Sequence, residues 1–260
     1  MKSSMAIHRW IVGIVIIYLL IPLFATLLFS LAGKWDHTML PETFTLKWYS
    51  ELFQDERFFL ALERTLFLIA GSVGISVVLM VPTIFIVTVY FGKWERLLQG
   101  IAMLPYGIPP VVGAVGLIKL YSSGPVPISG TPWILIGAYF VIMMPFMYQG
   151  IRNSMRTVNA KELVHAAELL GATKFQAFRK VVLPNIMSGI LVSTLLSIAM
   201  LFGEFAFANL LVGGRYETIQ IYLYQQLNQS GHLASAVVIT YYSFILLITW
   251  VILRMKKKQH

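Results

Sequence analysis

Six apolar stretches, each long enough to cross a lipid bilayer, constrain this chain more than any other feature. A bilayer core takes about 20 mostly apolar residues per helix. The stretches are Trp10–Ala32, Thr65–Phe91, Gln99–Tyr121, Thr131–Ile151, Asn185–Val212 and Leu233–Leu253. The composition agrees: 58% of the 260 residues are hydrophobic and 12% charged, where a soluble domain has roughly twice that charge. A water-soluble globule, a disordered chain and a repeat solenoid are therefore excluded. The absence of cysteine excludes disulfides, thiolate metal sites and cysteine catalysis. The third stretch carries Pro105, Pro109 and Pro110, and the fourth Pro145. A spanning helix tolerates proline where neighbouring helices satisfy the freed carbonyls, so both read as kinked spans.

Orientation follows from the basic residues. With both termini in the cytoplasm, the inner segments hold Lys2, Arg9, Lys93, Arg96, Arg152, Arg156, Lys161, Lys174, Arg179, Lys180, Arg254 and Lys256–Lys258, which is 14 of the 20 lysines and arginines. That is a positive-inside distribution. The outer segment 33–63 instead collects Asp36, Glu42, Glu51, Asp55, Glu56 and Glu63. The first apolar run exceeds a signal-peptide core of about 7–15 residues, which predicts a retained helix. Within 33–63, a short lateral helix is expected around Leu46–Phe59. It reads mainly as a solvated loop, with Trp48, Tyr49, Phe53, Phe58 and Phe59 as interfacial anchors.

The longest inner segment, 152–184, carries the most information. Asn159 followed by Glu162 predicts a capped helix start. Leu163, Val164, Ala166, Ala167 and Leu170 form an apolar face at helical spacing. Gly171 is a helix stop, Thr173 a second cap, and Phe175, Phe178 and Val182 continue an apolar face until Pro184 closes the arm. The result is a helix–Gly–helix loop at the membrane surface, and composition alone does not separate a tether from a docking element.

The run from Glu162 through Ala172, continuing to Val181-Val182-Leu183-Pro184, resembles the EAA loop of ABC importer permeases. Ala166, Ala167, Gly171, Val181, Leu183 and Pro184 match at the family's spacing, while His165 stands where the pattern has Glu. The resemblance implies an all-α integral membrane protein with the six-helix type I importer-permease fold and the loop between helices 4 and 5. It implies that Glu162, His165, Ala166, Ala167, Gly171, Ala172, Phe175, Leu183 and Pro184 couple the chain to a cytoplasmic ATPase, which holds ATP and Mg. This chain would bind no cofactor, and it contains no G-x-x-x-x-G-K-[ST] loop. The other implied partners are a second permease, read as a heterodimer, and an extracytoplasmic substrate-binding protein. The implied location is the bacterial plasma membrane. Within the family, Phe202–Leu211 is similar to permeases for polyamines, iron(III), phosphonates and oxyanions, with the smaller spermidine/putrescine-type permease most alike.

An ionisable group inside a span is costly, which makes Glu204 the first pathway candidate. Asn209, Tyr106 and Tyr139 are polar neighbours in or beside the spans. Pro105–Pro110 is expected to break the third span, as helices lining transport pathways often are. His8, His37, His165, His232 and His260 are scattered and form no metal-ligand spacing. A nucleic-acid role is not expected, since the terminal lysines suit a lipid surface. A self-contained secondary transporter or channel would ordinarily carry more intramembrane charge, and an intramembrane enzyme would need a convergent nucleophile and base.

Overall fold

A computed structural model describes residues 2–35, 38, 40–123 and 125–257, with side chains placed only within 9–254. Asp36, His37, Lys258 and His260 lie outside the described residues, as do the side chains of Lys2, His8, Lys256 and Lys257. The chain is helical nearly throughout. The first elements are α1 (Lys2–Leu31), a two-stranded antiparallel hairpin of β1 (Ala32–Lys34) and β2 (Thr43–Phe44), α2 (Lys47–Gln54) and α3 (Glu56–Tyr90). A 3₁₀ turn at Gly92–Trp94 leads into α4 (Glu95–Gly107), α5 (Pro110–Tyr121) and α6 (Pro132–Thr157). Then come α7 (Ala160–Leu169), α8 (Lys174–Gln176), a π-helical turn (Ala177–Val182), α9 (Leu183–Phe202) and α10 (Ala206–Leu211). After a second 3₁₀ turn, Gly213–Tyr216, the chain ends in α11 (Ile219–Leu227) and α12 (Gly231–Lys257). Among the described residues, five helices are long and apolar enough to cross a bilayer, and the α4–α5 pair supplies a sixth crossing if taken as one span.

Two compact units are present, residues 1–60 with 222–260 and residues 61–221. In the first, α1 packs along α12. None of the apolar window of α1 is buried inside the protein, which suits a helix whose solvent is hydrocarbon. The expected solvated loop is instead a packed cap. The Trp48 indole donates to the Ala32 carbonyl at 2.8 Å, and the Tyr49 and Ser30 hydroxyls are 2.8 Å apart. His232 is stacked between Phe29 and Trp48, with centroids at 4.1 and 5.4 Å. The lateral helix is also shorter than Leu46–Phe59: it stops at Gln54, and Phe58 and Phe59 belong to α3. The reason is Asp55, whose Oδ1 accepts from the Arg57 amide at 2.9 Å and so caps the start of α3. Its Oδ2 accepts from the Tyr222 hydroxyl at 2.7 Å. Burial, and then this hydrogen bond and the Asp55 charge, push the Tyr222 hydroxyl above the ordinary tyrosine range, so it remains a donor.

In the second unit the centre is the α6–α9 pair, the most extensive helix pairing among the described residues. A Cβ placed on Gly150 would come within 2.6 Å of the Ser193 Cβ, and one on Gly189 would collide with Ser154. Gly150 and Ser154, four apart on α6, thus mesh with Gly189 and Ser193, four apart on α9. Small residues at this spacing let helix backbones approach where lipid gives no hydrophobic drive. The proline in α6 breaks nothing: Pro145 is buried and the helix runs through it.

The third span departs from a simple kink. The chain bends by 103° between α4 and α5. Prolines at 109 and 110 remove two successive amide donors, and a residue before proline is pushed out of the helical region. Ile108 (ψ 115°) and Pro109 (ψ 135°) are accordingly extended, and Pro110 restarts the helix in its first turn. Each half is about 20 Å long, too short to cross a 30 Å core alone.

Candidate functional site

Two places in the second unit gather the residues singled out in the sequence. One is a cleft of about 620 Å³ bounded by the α4–α5 bend, α6 and the α9–α10 junction. Tyr106, Pro109, Gly113, Gly137, Phe207 and Glu204 are among its lining residues. The walls are almost wholly apolar, and Glu204 is the one ionisable carboxylate among the lining residues. Glycine keeps the space open: a Cβ on Gly107, Gly116 or Gly137 would meet nothing within 4 Å, whereas one on Gly113 would come within 3.1 Å of the Phe207 ring.

Glu204 does not sit on a continuous fifth span. α9 ends at Phe202, and α10 begins at Ala206. The Gln220 side chain donates to the Phe202 carbonyl at 2.7 Å, which satisfies one acceptor at the end of α9. The two oxygens of Glu204 accept from the backbone amides of Phe207 (2.8 Å) and Ala208 (3.1 Å), the unpaired donors of the new helix. The Tyr139 hydroxyl, on a buried residue of α6, lies beside the same carboxylate. The carboxylate therefore holds the break in shape and also lines the cleft. Of the four pathway candidates, Glu204 and Tyr106 line the cleft, and Tyr139 supports Glu204 from behind. Asn209 is exposed and not among the lining residues.

The second place is the helix–Gly–helix loop. α7 ends in a Schellman motif: Gly171 (φ +85°) donates to the Glu168 carbonyl at 2.9 Å, and the Ala172 amide to Ala167 at 3.0 Å. Thr173 then caps the next arm in a reciprocal box with Gln176, at 3.3 and 2.9 Å. The box expected at Asn159 does not form. Asn159 is itself left-handed (φ 50°) and its side chain caps nothing; its backbone carbonyl starts the helix instead. Pro184 does not close the second arm either. α8, the π turn and α9 run on as one apolar stretch, Lys174–Phe202. The wider π turn accommodates a ring that would crowd the carbonyl of an ordinary helix.

The loop rests on the end of α3. Phe178 packs on Phe85 with ring centroids 4.6 Å apart, and the Lys174 ammonium lies 4.9 Å above the Tyr90 ring. Val164 and Ala167 face inward and are buried, with Ala172 and Leu183 half-buried. Glu162, His165, Ala166, Gly171, Phe175 and Pro184 face outward. The face read as continuous thus splits, because α7 turns Leu170 away from Val164. Leu169 and Leu170 are each 89% exposed and Phe175 66% exposed, an apolar tip with nothing covering it. Helical spacing alone groups Leu170 with Val164 on one apolar face and does not single out Leu169. The doublet immediately before a helix-stopping glycine is the signal that was available.

Residues 72–259 match the family described as the binding-protein-dependent transport system inner membrane component. Two relatives are similar over most of the chain. A Salmonella typhimurium protein named for 2-aminoethylphosphonate transport, PhnV, is 24% identical over 225 residues, covering 86% of this chain and 83% of that protein. The Escherichia coli spermidine/putrescine transport system permease PotC is 22% identical over 181 residues, covering 70% and 67%. The fold is shared with a bacterial ABC transporter involved in import of the acidic polysaccharide alginate, with TM-score 0.72, 19% identity, and 99% and 96% of the two chains covered. A second structure of the alginate system, in complex with a periplasmic protein carrying an alginate pentasaccharide, gives a TM-score of 0.71. This chain belongs to the binding-protein-dependent inner membrane components, as a transmembrane permease subunit of an ABC importer.

Proposed function

We propose that the chain forms one half of a translocation pathway and is driven through its helix–Gly–helix loop by a cytoplasmic ATPase. The observation that carries this reading is the apolar tip of Leu169, Leu170 and Phe175 around Gly171. Exposed aliphatic groups on a rigid, doubly capped turn mark a protein-docking surface. His165, one turn before Leu169, and Glu162, two turns before it, are exposed and would face the ATPase. The positive-inside distribution supports a cytoplasmic position for the loop and for both termini. The cleft on the α4–α5, α6 and α9–α10 side would close against a second permease, most simply a different chain, and an extracytoplasmic binding protein would deliver the solute.

The substrate class we infer is a small solute bearing a primary aminoalkyl group, of the polyamine or aminophosphonate kind. The solutes in the names of the two relatives share that cationic group, and Glu204 is the one acidic group lining the cleft. An ammonium would recover there part of its lost hydration.

The test is ATP hydrolysis by the reconstituted complex of permeases, ATPase and binding protein. Spermidine, putrescine or 2-aminoethylphosphonate on the binding protein should stimulate hydrolysis. Gly171→Val should abolish that stimulation and leave the isolated ATPase unchanged, since the left-handed backbone costs a non-glycine residue about 1–2 kcal/mol and the branched side chain reshapes the turn. Failure of any ATPase to co-purify would overturn the coupling reading, and stimulation only by iron(III) or an oxyanion would overturn the substrate class.

A further inference from the structure

Where α3 ends and α4 begins, the chain leaves an apolar groove of about 340 Å³, lined by Val87, Phe91, Trp94, Leu97, Leu98 and Ile101. The lining is wholly apolar, and the nearest basic residues are the sequence neighbours of Trp94. Trp94 is 59% exposed at the lip, an amphipathic ring of the kind that collects at the membrane–water interface. On either side of it in sequence, Lys93 and Arg96 are exposed, and among the described residues neither is in an ion pair. The adjacent carboxylate does not neutralise them. Glu95 is held by Arg152 at 2.6 Å and approached by Arg156 at 3.5 Å. Arg152 and Arg156 thus take up Glu95, which leaves Lys93 and Arg96 without a carboxylate partner among the described residues. From this turn the groove runs about two helical turns along α4, as far as Ile101, and one along α3, into the apolar part of both helices.

A soluble anion would have no use for the groove, and an uncharged lipid none for the cations. We propose that this is a binding site for one anionic phospholipid, its acyl chain in the groove and its phosphodiester against Lys93 and Arg96. Charge complementarity selects the headgroup, and the groove excludes water from the chain.

The site is tested on the purified full-length chain in mild detergent. Native mass spectrometry would compare phosphatidylglycerol with phosphatidylcholine of identical acyl chains. Two surface cations worth ~1 kcal/mol each predict a preference for phosphatidylglycerol of about 25-fold. K93Q combined with R96Q should reduce that preference to about twofold or less and leave phosphatidylcholine binding in place. Both side chains are on the surface, so the variant should fold. A second measurement needs no change to the groove. Phosphatidylglycerol with brominated chains should quench tryptophan fluorescence in the wild type, and W94F should lose most of that quenching. Equal retention of the two lipids, or a preference that survives the double substitution, overturns the site. Displacement of the lipid by millimolar glycerol phosphate would also overturn it, because it would show an anion site that needs no chain.

Discussion

At the residue scale, Glu204 carries two duties that a transport assay alone would confuse. Its oxygens accept the Phe207 and Ala208 amides, and its carboxylate lines the cleft. Glu204→Gln removes one acceptor and turns an amide donor toward a backbone donor. Leaving one such donor unsatisfied costs about 1–3 kcal/mol, so we expect a lower unfolding temperature in detergent together with loss of uptake. If Glu204 only touched solute, uptake would fall and the unfolding temperature would not move. Tyr139→Phe gives the complementary reading. It removes the hydroxyl behind the carboxylate without touching the cleft wall, so uptake should fall less than in Glu204→Gln.

The helix pairs make a different kind of prediction. Gly150 and Gly189 bring α6 and α9 together through facing serines, and overpacking a well-filled contact costs about 1–3 kcal/mol. Gly150→Val should therefore destabilise the chain in thermal unfolding, and Gly137→Ala, which opens onto free space, should not. These contacts also mark the limit of what the sequence shows. Six apolar runs, the helix stop at Gly171 and the cap at Thr173 were legible, because each is a local property of a few residues. The 103° bend was legible only as a kink, since Pro109 and Pro110 announce a break and say nothing of its angle. The pairing of Gly150 with Ser193 was not legible, because it depends on residues about 40 positions apart. Pro184 misled for a related reason: whether a proline ends a helix depends on the π turn before it, and that turn has no signature in residue type. The outer aromatics read as anchors for lipid because Trp48 and His232, 184 positions apart, stack only once the chain has folded.

For the whole molecule, the candidate site proved to be partly a surface and partly a half-open space. Under the proposed function the cleft and the apolar tip both await other chains, and the sequence could name those partners only through the resemblance of the loop. Reconstituted alone, the chain should move no polyamine or aminophosphonate across a vesicle and should release no phosphate from ATP. Uptake that persists without an ATPase would favour a self-contained transporter. A further consequence follows from the uninterrupted stretch Lys174–Phe202. Twenty-nine helical residues make a strut roughly 40 Å long, and a helix yields readily to bending but hardly at all to compression along its axis. A push at the Phe175 end therefore arrives, little diminished, at Gly203, where the strut stops and the chain turns on a single carboxylate.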